Sequence, residues 1–460
     1  MSEIGSGNNS SYPGGIDTNA TPEVNSPASG KTRARKEVVE DLAAAVIAIE
    51  NELGTDPAGS LSDVKTFLQL QHQTDGTHKT THGPHVYIDE ANYANFSAAV
   101  AAAPNKTLVV ARSINLDANT VIAASVSLMP VNPGVINANG FTLTINGPVV
   151  GNPMYPWLSG FAAGEVTFGV GSVENVLQEW AGGKGDNATN STTAINVTIA
   201  TGKNIKKLDG TYLTTGGHIM NVQAGQQFKG SGRVKTTLKK SSGTSIMLLL
   251  TGANYQKVED ITFDCNSLAN EALKVQGSYQ VISNISIKNQ AGGGNLPLHL
   301  SGVNTVHLSN ILISDSSGGI QISGTDNVNI SCQNVILDGF SASNWLLTMT
   351  YVTHATFTSV AFDDAPANYG FVLFDIYNYS VHFISCYFEV GDVLNGASPI
   401  KIVGAGNNNI SFKDCLWTNA VANAGYAFFH SLTGENIVLD TIWFRNTAVM
   451  LYAIHLTNTT

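Results

Sequence analysis

Eight short apolar triplets recur through the second half of the chain at a nearly constant interval. They are Ile261-Thr262-Phe263, Ile285-Ser286-Ile287, Ile311-Leu312-Ile313, Val335-Ile336-Leu337, Val360-Ala361-Phe362, Cys386-Tyr387-Phe388, Cys415-Leu416-Trp417 and Ile442-Trp443-Phe444. Successive triplets start 24 to 29 residues apart. The residue before each is small and polar: Asp260, Asn284, Asn310, Asn334, Ser359, Ser385, Asp414 and Thr441. A second short strand falls between triplets, at Leu298-His299-Leu300, Ile320-Gln321-Ile322, Leu346-Leu347-Thr348, Val372-Leu373-Phe374 and Ile400-Lys401-Ile402. An ordinary globular sheet has no reason to hold one register for so long. A parallel β-solenoid does, because each coil sets its apolar side chains directly above those of the coil below. Short polar side chains fit the bend between strands, where they bond free backbone groups and tolerate left-handed geometry. Alternation then turns the first and third triplet positions inward and the second outward, together with the residue after the triplet.

Composition agrees with that architecture and excludes others. Of 460 residues only 12% are charged, against about 25% in a typical globular domain, and 45 are Gly. The net charge of −11 and the lack of a Lys/Arg stripe argue against nucleic acid. No apolar run approaches the ~20 residues that would span a bilayer, and Met1-Ser2-Glu3 opens no signal peptide. Cys265, Cys332, Cys386 and Cys415 are too dispersed for a disulfide framework or a metal clip. Cys386 and Cys415 occupy inward positions and read as small buried hydrophobes. No metal site and no cofactor is read from the sequence.

Toward the N-terminus the pattern changes. Residues 1–36, rich in Gly, Ser, Asn and Pro, form a flexible arm. Residues 37–75 read as a short helical segment. Val39, Leu42, Val46, Ile49 and Leu53 make an a/d seam, which suits either a helical hairpin folded on itself or parallel self-association. Residues 86–180 read as a β-rich head, with a short helix at 91–103, and residues 181–460 as the solenoid. Thr192 to Ala200 is an amphipathic piece with Ala194, Ile195 and Ile199 on one face.

The stretch from about Phe141 to Ala200 resembles the head of pectate-lyase-like right-handed β-helix proteins of bacteriophage tailspikes. Thr142-Leu143-Thr144-Ile145-Asn146-Gly147-Pro148 precedes Gly185-Asp186-Asn187 and Thr192-Thr193-Ala194-Ile195. That order is similar to the family's Gly-Asp-Gly followed by Asp-Asp-Thr-x-Ala-Ile, with Asn187, Asn190 and Ser191 departing from it. Ala43 to Val64, with Ile47 to Leu61 at its centre, also resembles a segment found near the N-terminus of phage tail proteins. The resemblance implies an all-β fold, a right-handed parallel β-helix of about ten coils wound from a single chain, with a short helical N-terminal region and the β-rich head. It further implies a homotrimeric virion spike joined to the phage tail, through an adaptor or baseplate protein, by the N-terminal arm. Its partner would be a host surface glycan, capsule or lipopolysaccharide.

Two outward columns carry the candidate chemistry. Leu312, Ile336, Ala361, Tyr387, Leu416 and Trp443 form an apolar stripe across six coils. Such a stripe marks a covered surface, under either a loop of the same chain or a neighbouring subunit. With the resemblance, Leu312, Ile336, Tyr387, Leu416 and Trp443 join Val39, Leu42, Val46 and Ile49 as the expected trimer interface. In the next column Asp338, Asp363 and Glu389 occupy consecutive coils, so adjacent carboxylates would lie about 5 Å apart. Paired carboxylates at that separation are the apparatus of glycoside hydrolysis. Solvated turn residues and a shared Ca²⁺ are the alternatives. Asp364, Trp345, Tyr377 and Tyr379 lie near these acids in sequence and are the expected substrate-binding residues. A lyase is disfavoured, since Arg445 is the only arginine beyond residue 260. The protein is thus expected to recognise a polysaccharide as a hydrolase, as a binding spike, or to be a structural fibre.

Overall fold

The computed structural model describes residues 85–87, 93–446 except 152, 244, 269–270, 292–295, 339–343, 364–369, 391–398, 420–428 and 432–433, and 454–456. The expected arm (1–36) and helical segment (37–75), with Val39, Leu42, Val46 and Ile49, lie outside these residues. The described chain is a right-handed parallel β-solenoid of about eleven turns with few helices. Each turn has three strands, and stacking the turns creates three faces. Face A stacks Leu298, Ile320, Leu347, Val372 and Ile400. Face B is the longest column, running Val176, Ile205, Phe228, Val258, Ile282, Leu308, Cys332, Phe357, Phe383, Phe412 and Leu439. Face C carries the triplets, with Phe263, Ile287, Ile313, Leu337, Phe362, Phe388, Trp417 and Phe444 in one column.

All eight triplets share one register, as their spacing predicted. The first positions from Ile261 to Cys415 and the third positions from Phe263 to Trp417 are buried in a single core. The four cysteines are buried free thiols. On face A the strand is Leu347-Thr348-Met349, one residue later than the sequence pattern suggested. Leu346 is buried too, but it precedes the strand at the corner, so an apolar run of three concealed the register.

Inside, like stacks on like. Phe362 and Phe388 lie 4.7 Å apart and 1° from parallel, and Phe388 and Trp417 are 3.6 Å apart. Phe357, Phe383 and Phe412 form a second ladder at 4.7 and 4.8 Å. All but the closer Phe388–Trp417 separation follow the strand spacing of about 4.8 Å. A ring on one rung therefore finds the next at stacking distance, and each such pair adds about 0.5–1.5 kcal/mol beyond area burial.

The corner between faces B and C holds the polar column. Asp260, Asn284, Asn310, Asn334, Ser359, Ser385, Asp414 and Thr441 all have φ between 51° and 59°. A left-handed residue turns the chain from one face to the next without breaking the strand pairing on either side. Side chains of adjacent rungs also bond one another, as Asn284 Nδ2 donates to Asp260 Oδ1 at 2.6 Å. The corner between faces A and B uses the same device: Tyr255, Tyr279, Thr305, Asn329, His354, Ser380, Asn409 and Asn436 all have φ between 50° and 62°. Between faces C and A the number of residues varies most from turn to turn.

Helix α1 spans Phe96–Ala101 and is capped by Asn95, whose side chain accepts from the Ala98 amide. Helix α2 covers Thr192–Ala200 and buries Val197 and Thr198 as well as Ala194, Ile195 and Ile199, more than the one face read from sequence. It occupies the place of a face A strand in its turn. Before it, Asp186 accepts the amides of Ala188 and Thr189 and the Thr189 hydroxyl. These bonds, led by that from the Thr189 amide, hold its carboxyl at about 2. The segment expected as the head is itself wound in parallel, with Thr120, Leu143 and Val166 in one register.

Beneath α2 lies a buried polar cluster. Lys207 sits over the rings of Tyr212 and Phe228 at 5.2 and 4.7 Å, and burial, partly opposed by Glu179, lowers its pKa to about 7. His218 lies between Thr214 Oγ1 and Asn196 Oδ1, each 2.6 Å away. Burial, helped by Lys207 and Lys240, depresses its pKa to about 3.

Two outcomes follow. Asn334→Gly should leave stability unchanged or raised, whereas Asn334→Val should lower it by about 1–2 kcal/mol, because a β-branched residue resists the left-handed region; denaturant unfolding measures both. His218 takes up its proton more readily in the unfolded chain. Its contribution is therefore intact above pH 6.5 and declines as the pH falls toward 3. His218→Gln should flatten the fall in melting temperature across that window.

Candidate active site

The expected acids sit where face C ends, on the outward side. Asp338 follows Leu337 in register with Ser314. The Asp363 amide donates to Leu337 O at 2.8 Å, which places Asp363 on the rung after Asp338. Glu389 comes next and pairs with Thr418. All three are half-buried, and Tyr387 lies beside them. The Tyr387 hydroxyl donates to Glu389 Oε2 and lies 3.2 Å from Thr418 Oγ1. Its pKa is raised, by burial first and then by that bond to Glu389, with the charge of Asp363 adding to it. The three acids thus occupy consecutive rungs, whose backbones lie about 4.8 Å apart.

The apolar stripe runs directly alongside. Leu312, Ile336, Ala361, Tyr387, Leu416 and Trp443 pair rung to rung on the outer side of face C. Ile336 is 46% and Trp443 64% exposed, while Leu312, Tyr387 and Leu416 are half-buried. At the head of the column the outward positions are covered instead. Thr262 and Ser286 are buried, and the Thr262 hydroxyl donates to Arg233 O. A segment of the same chain therefore covers the first rung, and the apolar stripe starts where that cover ends.

The expected substrate-binding residues do not gather around the acids. Asp364 lies outside the described residues. Trp345 is half-buried at the entry to face A. Tyr377 and Tyr379 stand at the opposite end of face B, on the corner between faces A and B. There Tyr377 stacks on Tyr351 at 5.4 Å, and Tyr379 meets His354 edge-on at 6.2 Å. Sequence proximity misled because the chain crosses a whole face between Tyr379 and Glu389. A second exposed pair on this corner, Tyr255 over Tyr279 at 4.8 Å and 9°, escaped the sequence reading altogether. Their separation of 24 residues, one repeat, was the available signal.

Elsewhere a pocket of about 320 Å³ is lined by residues that include Met154, Glu174, Trp180 and Lys206, none of them expected site residues. Among the described residues no group of three or more His, Cys, Asp or Glu is arranged to hold a metal ion. Among them, too, no helix is long and apolar enough to cross a membrane.

No family model and no curated protein matches the chain. Several solved structures are similar to it. The ORF18 protein of Geobacillus virus E2 is 13% identical with a TM-score of 0.37, the match covering 62% of each chain, so this chain spans less than two thirds of that protein. The A-module of a mannuronan C-5 epimerase from Azotobacter vinelandii is 9% identical, TM-score 0.31, with 61% of this chain and 97% of that one covered. An exopolygalacturonase from Thermotoga maritima is 9% identical, TM-score 0.31, covering 62% and 92%.

Proposed function

We propose that this chain is a bacteriophage tailspike. In this reading it is a homotrimer, carried on the phage tail through its N-terminal residues, that binds a host capsule or lipopolysaccharide and hydrolyses it. The observation that carries the catalytic part is the column Asp338, Asp363 and Glu389, three carboxylates on consecutive rungs with a phenol bonded to one of them. Tyr387 holds Glu389 as a hydrogen-bond acceptor, the state in which a carboxylate attacks a sugar carbon. Asp363, one rung away, is placed to protonate the leaving oxygen. A separation of about 5 Å suits a covalent glycosyl intermediate and retention of anomeric configuration. Because the apolar stripe lies two residues before the acids on each strand, a subunit packed on the stripe would make one wall of the cleft. A second reading, binding without hydrolysis, is favoured by one feature: the exposed tyrosines lie on another corner.

Incubation with host capsule or lipopolysaccharide should release new reducing ends of retained anomeric configuration. Glu389→Gln and Asp363→Asn should each slow release by about 10²–10⁴-fold. Undiminished cleavage by both variants would refute the assignment, and no cleavage by the native protein would leave the binding reading. Ile336→Asp should convert the trimer to monomer in sedimentation velocity; an unchanged trimer would remove the stripe from the interface.

A further inference from the structure

The corner between faces A and B carries an aromatic arrangement that the acid column does not use. Tyr255 and Tyr279 stack on neighbouring rungs, and Tyr351 and Tyr377 stack on rungs further along the same corner. Register places Tyr279 level with Thr305, then Asn329, then His354. Tyr351 follows Asp326 in the neighbouring column. Tyr255 covers one face of Tyr279, and the other turns toward the short side chain of Thr305. Tyr377 covers one face of Tyr351, and the other turns toward Asp326. The result is a notch about three rungs long, some 14 Å, with an aromatic wall at each end. Its floor holds Asn304, Thr305, Asp326 and Asn329, all exposed except half-buried Thr305.

Folding does not explain the rings. All four tyrosines have φ between 54° and 61°, a region where a bulky residue is strained. On other turns the Tyr255–Tyr279 column holds Asn329, Ser380, Asn409 and Asn436, and the Tyr351–Tyr377 column holds Asp326 and Gly406, residues that suit the left-handed region better. Yet Tyr279 and Tyr351 stay 45% and 37% exposed, so burial does not offset the strain. Strained, exposed aromatic residues in a regular array point to a ligand.

We infer that this notch is a second polysaccharide-binding site, separate from the acid column and open on each single chain. The inference rests on the glycan-binding reading above. Apolar ring faces at both ends match the C–H faces of pyranoses, and amides and hydroxyls on the floor match their hydroxyls. Asp326 is the one carboxylate there, so the ligand class is neutral or amino-sugar polysaccharide, and uronate or sulfated chains are repelled.

The test is binding of full-length protein to an array of purified bacterial polysaccharides, neutral, amino-sugar and acidic, by wild type, Tyr279→Asn and Tyr351→Asn. Asparagine tolerates the left-handed backbone, so melting temperatures should hold or rise. Each substitution should weaken binding by about tenfold, the upper range for losing one aromatic stacking contact. In the wild type, bound polysaccharide should also shield Tyr279 and Tyr351 from iodination, a readout independent of the variants. Binding that is undiminished in both variants, confined to acidic chains, or unaccompanied by shielding overturns the notch while sparing the glycan reading. A wild type that binds no polysaccharide overturns both.

Discussion

Parallel in-register pairing between successive turns governs everything else in this molecule. Each rung hydrogen-bonds to the one before and after, so its backbone is satisfied only if the chain returns to the same place about 26 residues later. That requirement fixes which side chains meet. Phe362 stacks on Phe388 and Phe388 on Trp417 because the backbone register sets them at the same position of adjacent rungs. The core is consequently one long column rather than a centre, and it is built from nearest-neighbour contacts.

The corners are where this regularity is negotiated. Two of the three turn through left-handed residues, one per turn at the B–C corner and a pair on most turns of the A–B corner, which keeps the strands on either side in step. At the B–C corner these are short polar residues plus Thr441. At the A–B corner the set is mixed, and the tyrosines there accept strain that asparagine or glycine would avoid. The third corner is free to vary in length, which is why the insertions collect there and why the acids on the last residues of face C stand beside them. Candidate chemistry thus divides between two corners of the solenoid: carboxylates and an apolar stripe on face C, tyrosines on the opposite end of face B.

The repeat, the inward and outward assignment of each triplet and the acid column were legible from residues 261 to 444. Parallel stacking converts a sequence interval directly into spatial adjacency, so Asp363 and Glu389 could be placed together without coordinates. The face A strand at Leu347 was misjudged by one residue, since Leu346 at the corner is as apolar as the strand. The Tyr255–Tyr279 pair was missed because those rings precede face B, in a column the triplet pattern does not mark.

What the sequence determined by itself was therefore the winding: a fixed period, a polar residue at one bend, and alternation of side chains across each strand. What only the tertiary structure decided was which corner each polar or aromatic residue occupies. Ten residues separate Tyr379 from Glu389, but they traverse a full face, and the two side chains end on different edges. Periodicity sets the vertical neighbours of a residue, whereas its position around the cross-section depends on where the chain bends. Those bends are set by left-handed residues whose identities, from tyrosine to asparagine, give no uniform signal.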